Sequence, residues 1–209
     1  MTRIENLDQV LAFGEISEDL LFHKIEKSRV KNYILRSLEI GHEVADKYKD
    51  KDIFELYKDN GIDIEYSQNS GSFYKVKFRA QFEWGKGKKS KVIIYKDSIK
   101  ELADISGISE DLSLKIHLCH EFFHYLELSN NRVVSEELDS VVTMKFICLE
   151  RKANISRCSE IAAHSFTKRL LKLDYLPNIY DYKYLMKIGE MKETYLDELA
   201  KIYKSYCIS

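Results

Sequence analysis

Proline occurs once in 209 residues, at Pro177, and glycine only 8 times, so collagen-like repeats and Pro/Gly-rich linkers are excluded. Net charge is nearly absent as well: 33 basic residues face 34 acidic ones and leave −1. That balance gives no broad electrostatic footprint for nucleic acid or an anionic membrane. No apolar run approaches the roughly 20 residues that cross a bilayer. The first residues, Met1-Thr2-Arg3-Ile4-Glu5-Asn6, lack the apolar core of a signal peptide, so the expected location is the cytoplasm. Cys119, Cys148, Cys158 and Cys207 form no C-x-x-C pair and read as buried free thiols rather than as disulfides or a thiolate metal site.

What the chain does contain is enough apolar material, 44%, to build a core, and a change of pattern along its length. Residues 1–50 read as a helical segment packed on the main domain. Ser17 is the expected N-cap there, followed by Glu18 and Asp19 in a first turn. Val30, Ile34, Leu38 and Ala45 follow at near-helical spacing, and Gly41 marks a close helix contact or a join. The Lys and Arg residues of this segment alternate with Glu and Asp, which argues against DNA binding.

Residues 51–209 form the expected main domain. A short helix over 52–58 precedes Asn60-Gly61, a stop signal. Ile62, Ile64 and Tyr66 alternate as in a half-buried strand. A second strand is predicted over 73–84, with Tyr74, Val76, Phe78, Ala80, Phe82 and Trp84 on one face, and a third over 92–95. The lysine-rich Gly85–Lys91 segment between them reads as a solvated hairpin loop. Helices are predicted over 98–105, 110–128, 135–152, 157–173 and 181–206. The expected class is α+β: a small antiparallel or mixed sheet packed on helices, with helices at both ends.

The chemistry concentrates in Ile116-His117-Leu118-Cys119-His120-Glu121-Phe122-Phe123-His124-Tyr125-Leu126, which contains H-E-x-x-H. On a helix, residues four apart lie one turn above each other, so His120 and His124 can direct both imidazoles at one ion. Glu121 is about 100° around the helix, placed to reach a water without occupying the metal. Two neutral imidazoles favour zinc and leave room for a third ligand and a water. His117, His120, Glu121 and His124 share one sector, while Ile116, Cys119, Phe122, Phe123 and Leu126 fill the other. The third-ligand candidates are Glu127, Glu136, Glu137, Glu150 and Glu160. Glu127, three residues after His124, cannot close the far side; Glu136 and Glu137 suit a helix first turn; Glu150 adjoins Arg151 and Lys152. Glu160 opens a small, apolar helical run in which a carboxylate needs a partner.

The segment Glu160–Leu171, E-I-A-A-H-S-F-T-K-R-L-L, resembles the second motif of ImmA/IrrE-type metallopeptidases, through Glu160, Ala163, Phe166 and the Leu170-Leu171 pair. The order of small sheet and H-E-x-x-H helix is also the family's, and the resemblance covers about residues 50–175. It implies a zincin fold, zinc on His120, His124 and Glu160, Glu121 as general base, and a protein substrate such as a regulator. Two positions depart from the pattern. His164 stands where an Asp or Asn often orients a ligand histidine, and the proline expected after the Leu pair arrives only at Pro177. His164 is therefore carried as a possible ligand or transition-state donor. His117, one turn before Glu121, is carried as a cleft residue or as a histidine bonded to backbone. The alternative to a peptidase is a zincin-like binding or sensing module, which would share the ligands but not need Glu121.

Overall fold

The H-E-x-x-H segment lies on the helix that organises the molecule. The computed structural model describes residues 4–68, 71–73, 76–85, 89–146 and 149–207. In chain order it contains α1 (Leu7–Ser17), a 3-10 turn (Phe22–Lys24), α2 (Lys27–Asp46), α3 (Ile53–Asp59), β1 (Asp63–Ser67), β2 (Ser72–Phe73), β3 (Val76–Lys77), β4 (Ala80–Glu83) and β5 (Lys91–Tyr95). There follow α4 (Lys96–Ser106), α5 (Glu110–Ser129), α6 (Val134–Glu137), β6 (Val141–Phe146), β7 (Leu149–Ala153), α7 (Arg157–Leu171), α8 (Ile179–Lys187) and α9 (Tyr195–Cys207). The class is α+β. Among the described residues no helix is long and apolar enough to cross a membrane.

The main sheet is mixed, in the order β1-β5-β4, with β5 parallel to β1 and antiparallel to β4. Val92 and Ile94 of β5 are buried, as the central strand of a sheet covered on one face requires. α5 packs against β4 and β5 on one side and against α7 on the other. Leu118, Cys119, Phe122, Phe123 and Leu126 pack into the core, all but Leu118 as the periodicity implies, whereas Ile116, though buried, lines the cleft beside His117. Ser109 caps α5 by accepting the Leu112 N–H at 3.1 Å, and Glu110 and Asp111 complement its first turn.

α2 lies along α7, and Gly41 makes that approach possible: a Cβ there would collide with the Ala162 carbonyl oxygen and come within 2.8 Å of Ser165 Cβ. Ser165 closes the seam by donating its Oγ–H to the Leu38 carbonyl at 2.6 Å. Val30, Ile34 and Ala45 are buried, while Leu38 is only partly so.

Several elements differ from expectation. Ser17 ends a helix instead of starting one, and its hydroxyl donates to the Gly14 carbonyl at 2.7 Å. Asp19 leaves the expected first turn to cap α7: its Oδ2 accepts from Arg157 N–H and Ser156 Oγ–H, both at 3.0 Å. The strand predicted over 73–84 is broken. Its first part folds into the β2–β3 hairpin, with Phe78 N–H donating to the Gly71 carbonyl, and only β4 joins the sheet. Tyr74 and Lys86–Lys88 lie outside the described residues. The helix predicted over 135–152 survives only as α6. Val141-Val142-Thr143-Met144-Lys145-Phe146 is rich in β-formers, and forms a hairpin with Leu149–Ala153. Glu150 therefore lies on a strand, paired with Lys145 at 3.0 Å. The helix predicted over 181–206 is two helices, parted by a turn in which Gly189 takes φ 78°. Cys119 and Cys158 are buried free thiols, Cys207 is partly exposed, and Cys148 lies outside the described residues.

Candidate metal centre

Three side chains from two helices converge. His120 and His124 project from adjacent turns of α5, and Glu160 from the first turn of α7. The three residues form a small triangle: His120 Nε2 lies 3.2 Å from His124 Nε2 and 3.1 Å from Glu160 Oε2, and His124 Nε2 lies 3.6 Å from the other carboxylate oxygen, Oε1. A tetrahedral ion with bonds of about 2.0–2.1 Å separates its ligand atoms by about 3.3 Å, and the closest approaches of the two imidazoles to each other and to the Glu160 carboxylate are of that size. These three residues form a group that can hold a metal ion.

The electrostatics also call for a cation. Burial alone would lower the pKa of His124, but the carboxylates of Glu127 and Glu160 outweigh it and raise it to about 10. Burial alone would raise the Glu160 carboxyl, yet the imidazoles of His120 and His124 hold it far below the usual carboxylate range. Two imidazole nitrogens 3.2 Å apart beside a carboxylate need a positive centre between them, either protons or a metal.

Glu127 does not reach the triangle, in keeping with its position on α5, but it has a role that treating it only as a ligand candidate missed. Its Oε2 accepts from His124 Nδ1–H at 2.8 Å, which leaves the Nε2 of the neutral ring as the lone-pair donor facing His120 and Glu160. The available signal was the i,i+3 spacing of His124 and Glu127 on a helix. Glu136 and Glu137 are exposed on α6, Glu137 pairing with Arg132 at 2.9 Å, and both stand outside the metal-holding group, as does Glu150.

Glu121, half-buried, makes no hydrogen bond or ion pair with any described residue, so its carboxylate is open to the cleft it lines. That cleft has a volume of about 470 Å³ and also meets His117, His120, Glu160, His164, Arg79 and Asp181. His117 Nδ1–H donates to the Ser113 carbonyl at 2.7 Å, so it is both bonded to backbone and part of the cleft wall. Its burial lowers its pKa to about 4, against the opposing pull of that carbonyl. His164 stands one turn after Glu160, its ring centroid 4.8 Å from that of His120. Its Nε2 faces Glu15 of α1 at 3.7 Å, and it is outside the three-residue group. Burial alone would raise the Glu15 carboxyl, but His164 and Arg157, the latter at 2.6 Å, hold it below its ordinary value. The contribution of α1 to this wall had no sequence signal, because Glu15 and His164 are 149 positions apart. Comparison with family models, with curated proteins and with solved structures returns no match.

Proposed function

We propose that this chain is a zinc-dependent endopeptidase of the ImmA/IrrE type, with a zincin-like domain, acting in the cytoplasm on a protein substrate such as a regulator. The observation that carries the reading is the triangle of His120, His124 and Glu160 beside an uncommitted Glu121. The donor set, two imidazoles and one carboxylate, fits zinc, and Glu127 holds His124 in the tautomer that ligation needs. Zinc held there would polarise the scissile carbonyl and acidify a nearby water.

The chain's own residues do the rest. Glu121 takes a proton from the attacking water as its oxygen bonds to the carbonyl carbon. It then returns that proton to the amine nitrogen as the C–N bond breaks. Arg79, paired with Asp181 at 2.5 Å, and His117 form a polar wall beside the reacting atoms. β4 is an edge strand whose outer side has no strand partner among the described residues, and its start lines the cleft. An extended substrate segment would add to that edge through main-chain hydrogen bonds.

The test is elemental analysis with one substitution. Purified protein should carry about one zinc per chain. Glu121→Gln should keep the zinc and lower cleavage by roughly 10²–10⁴-fold, because an amide cannot accept the proton. Co-expression with the products of neighbouring genes supplies candidate substrates, and the fragments should vanish in Glu121→Gln. Full function in the cell with Glu121→Gln, on the same bound partner, would instead make the chain a zincin-like binding module.

A further inference from the structure

β4 packs against α5, and its two ends meet different chemistry. Its first residue, Ala80, and the three before it, Lys77, Phe78 and Arg79, line the polar cleft with His117 and Asp181. At the other end Phe82 and Trp84, two residues apart and so on one face, meet Tyr125 of α5. The ring centroids of Phe82 and Tyr125 are 5.8 Å apart, those of Trp84 and Tyr125 5.8 Å, and those of Phe82 and Trp84 6.3 Å. Phe82 and Tyr125 are partly buried, whereas Trp84 is 44% exposed. Tyr125 follows His124 directly and lies one helical turn beyond Glu121, on the same side of α5. A half-open aromatic platform thus adjoins the open carboxylate and lies along the same unpaired strand edge.

We propose that Phe82, Trp84 and Tyr125 form a binding subsite for a large apolar side chain, aromatic above all, of an extended peptide lying along β4. Only the position of the cut rests on the peptidase reading. Three features favour this occupant. The platform is built of faces that stack on an aromatic ring in offset or edge geometry. A strand added to β4 presents every second side chain to the sheet face that carries Phe82 and Trp84. The three rings of the platform carry no charge, whereas the opposite end of β4 is lined by Lys77, Arg79, His117 and Asp181. Antiparallel pairing, the more stable ladder, fixes the direction. The peptide's N-terminal part would lie over Trp84 and its C-terminal part in the polar cleft. The bond cut would then have its large apolar residue on the N-terminal side.

Trp84 is the one tryptophan of the chain, so its emission reads this subsite directly. Zinc-loaded Glu121→Gln protein is titrated with a soluble decapeptide of Ala, Ser and Thr carrying one central Phe, and with the same peptide carrying Ala there. The Phe peptide should change Trp84 emission and bind roughly tenfold tighter, a preference that Tyr125→Ala reduces to below about threefold. Should Tyr125→Ala unfold, Trp84→Ala followed by calorimetry gives the same comparison at an exposed position. Equal affinity for both peptides, or an unresponsive Trp84, overturns the proposal. A decapeptide mixture is then digested with wild-type protein and the fragments are sequenced by mass spectrometry. Cuts should cluster C-terminal to Phe, Tyr, Trp, Leu and Met, and a preference on the other side of the bond overturns the assigned direction. If the Phe peptide binds in the expected way but wild type cuts nothing, the peptidase reading falls and the subsite stands. If wild type cuts without regard to apolar residues and Trp84 stays silent, the subsite falls and the peptidase reading stands.

Discussion

The Glu127 carboxylate joins His124 to the start of the next helix: Oε2 accepts from His124 Nδ1–H at 2.8 Å and Oε1 from the Val134 backbone N–H at 2.8 Å. Both bonds are shielded from water, since Glu127 is only 7% exposed. A buried carboxylate with two charge-assisted bonds is a rigid anchor, and it fixes both the tautomer and the tilt of one candidate ligand.

Glu127→Gln retains the shape but has one acceptor oxygen, so either the imidazole or the Val134 N–H loses its partner. Zinc affinity should fall by about 10–100-fold, measured by competition with a chromophoric chelator. Unchanged affinity would show that His124 needs no such anchor.

Glu160→Gln removes the only carboxylate in the triangle. Zinc content after dialysis should drop sharply, as it should for His120→Ala and His124→Ala, while Glu136→Gln and Glu137→Gln stay near wild type. The reverse pattern would move the third ligand to α6.

Gly41→Ala pits two effects against each other. Alanine is favoured over glycine in a helix by about 1 kcal/mol, but a Cβ here meets the Ala162 carbonyl oxygen, which is backbone and cannot swing aside. Overpacking of this kind costs about 1–3 kcal/mol, so the steric term should win. Calorimetry should show Tm lowered by about 2–8 °C, and a raised Tm would mean that the α2–α7 seam has slack.

His117 gives stability a pH dependence of known sign. Its folded pKa, about 4, lies below the ordinary 6.5, so between these values the unfolded chain binds more protons. Its neutral form therefore contributes stability above pH 6.5 that is lost as pH falls toward 4, about 3 kcal/mol in all. Urea midpoints of wild type and His117→Gln should differ in their pH dependence across that window and run parallel above it. Parallel curves throughout would mean that His117 titrates as in an unfolded chain.

The thiols of Cys119 and Cys158 should be inert in the native state. Burial pushes Cys119 far above the usual thiol range, and pushes Cys158 up to about 12 although Ser37 pulls the other way. Iodoacetamide at pH 8, followed by peptide mass spectrometry, should label neither until denaturant is added. Rapid native labelling of either would contradict their burial.

The sequence by itself determined what short-range periodicity encodes. His120, Glu121 and His124 fall on one side of α5 because 3.6 residues make a turn, and Phe122, Phe123 and Leu126 fall in the core for the same reason. The alternation of Ile62, Ile64 and Tyr66 and the Val92–Tyr95 run likewise located β1 and β5, as both patterns are local. Only the tertiary structure decided which distant groups meet. Asp19, beyond the end of α1, caps α7 and so sets the height of Glu160, a pairing across 138 positions that no periodicity reports. The helical reading of 135–152 failed where β-branched residues and a pairing partner outweighed a charged, helix-compatible composition, because strand propensity is realised only against a neighbour. Glu15 beside His164, and Trp84 beside Tyr125, are likewise contacts between elements far apart in the chain. One helix's spacing specifies the chemistry along α5, whereas the packing of α1, α7 and β4 around it sets what lies within reach of that chemistry.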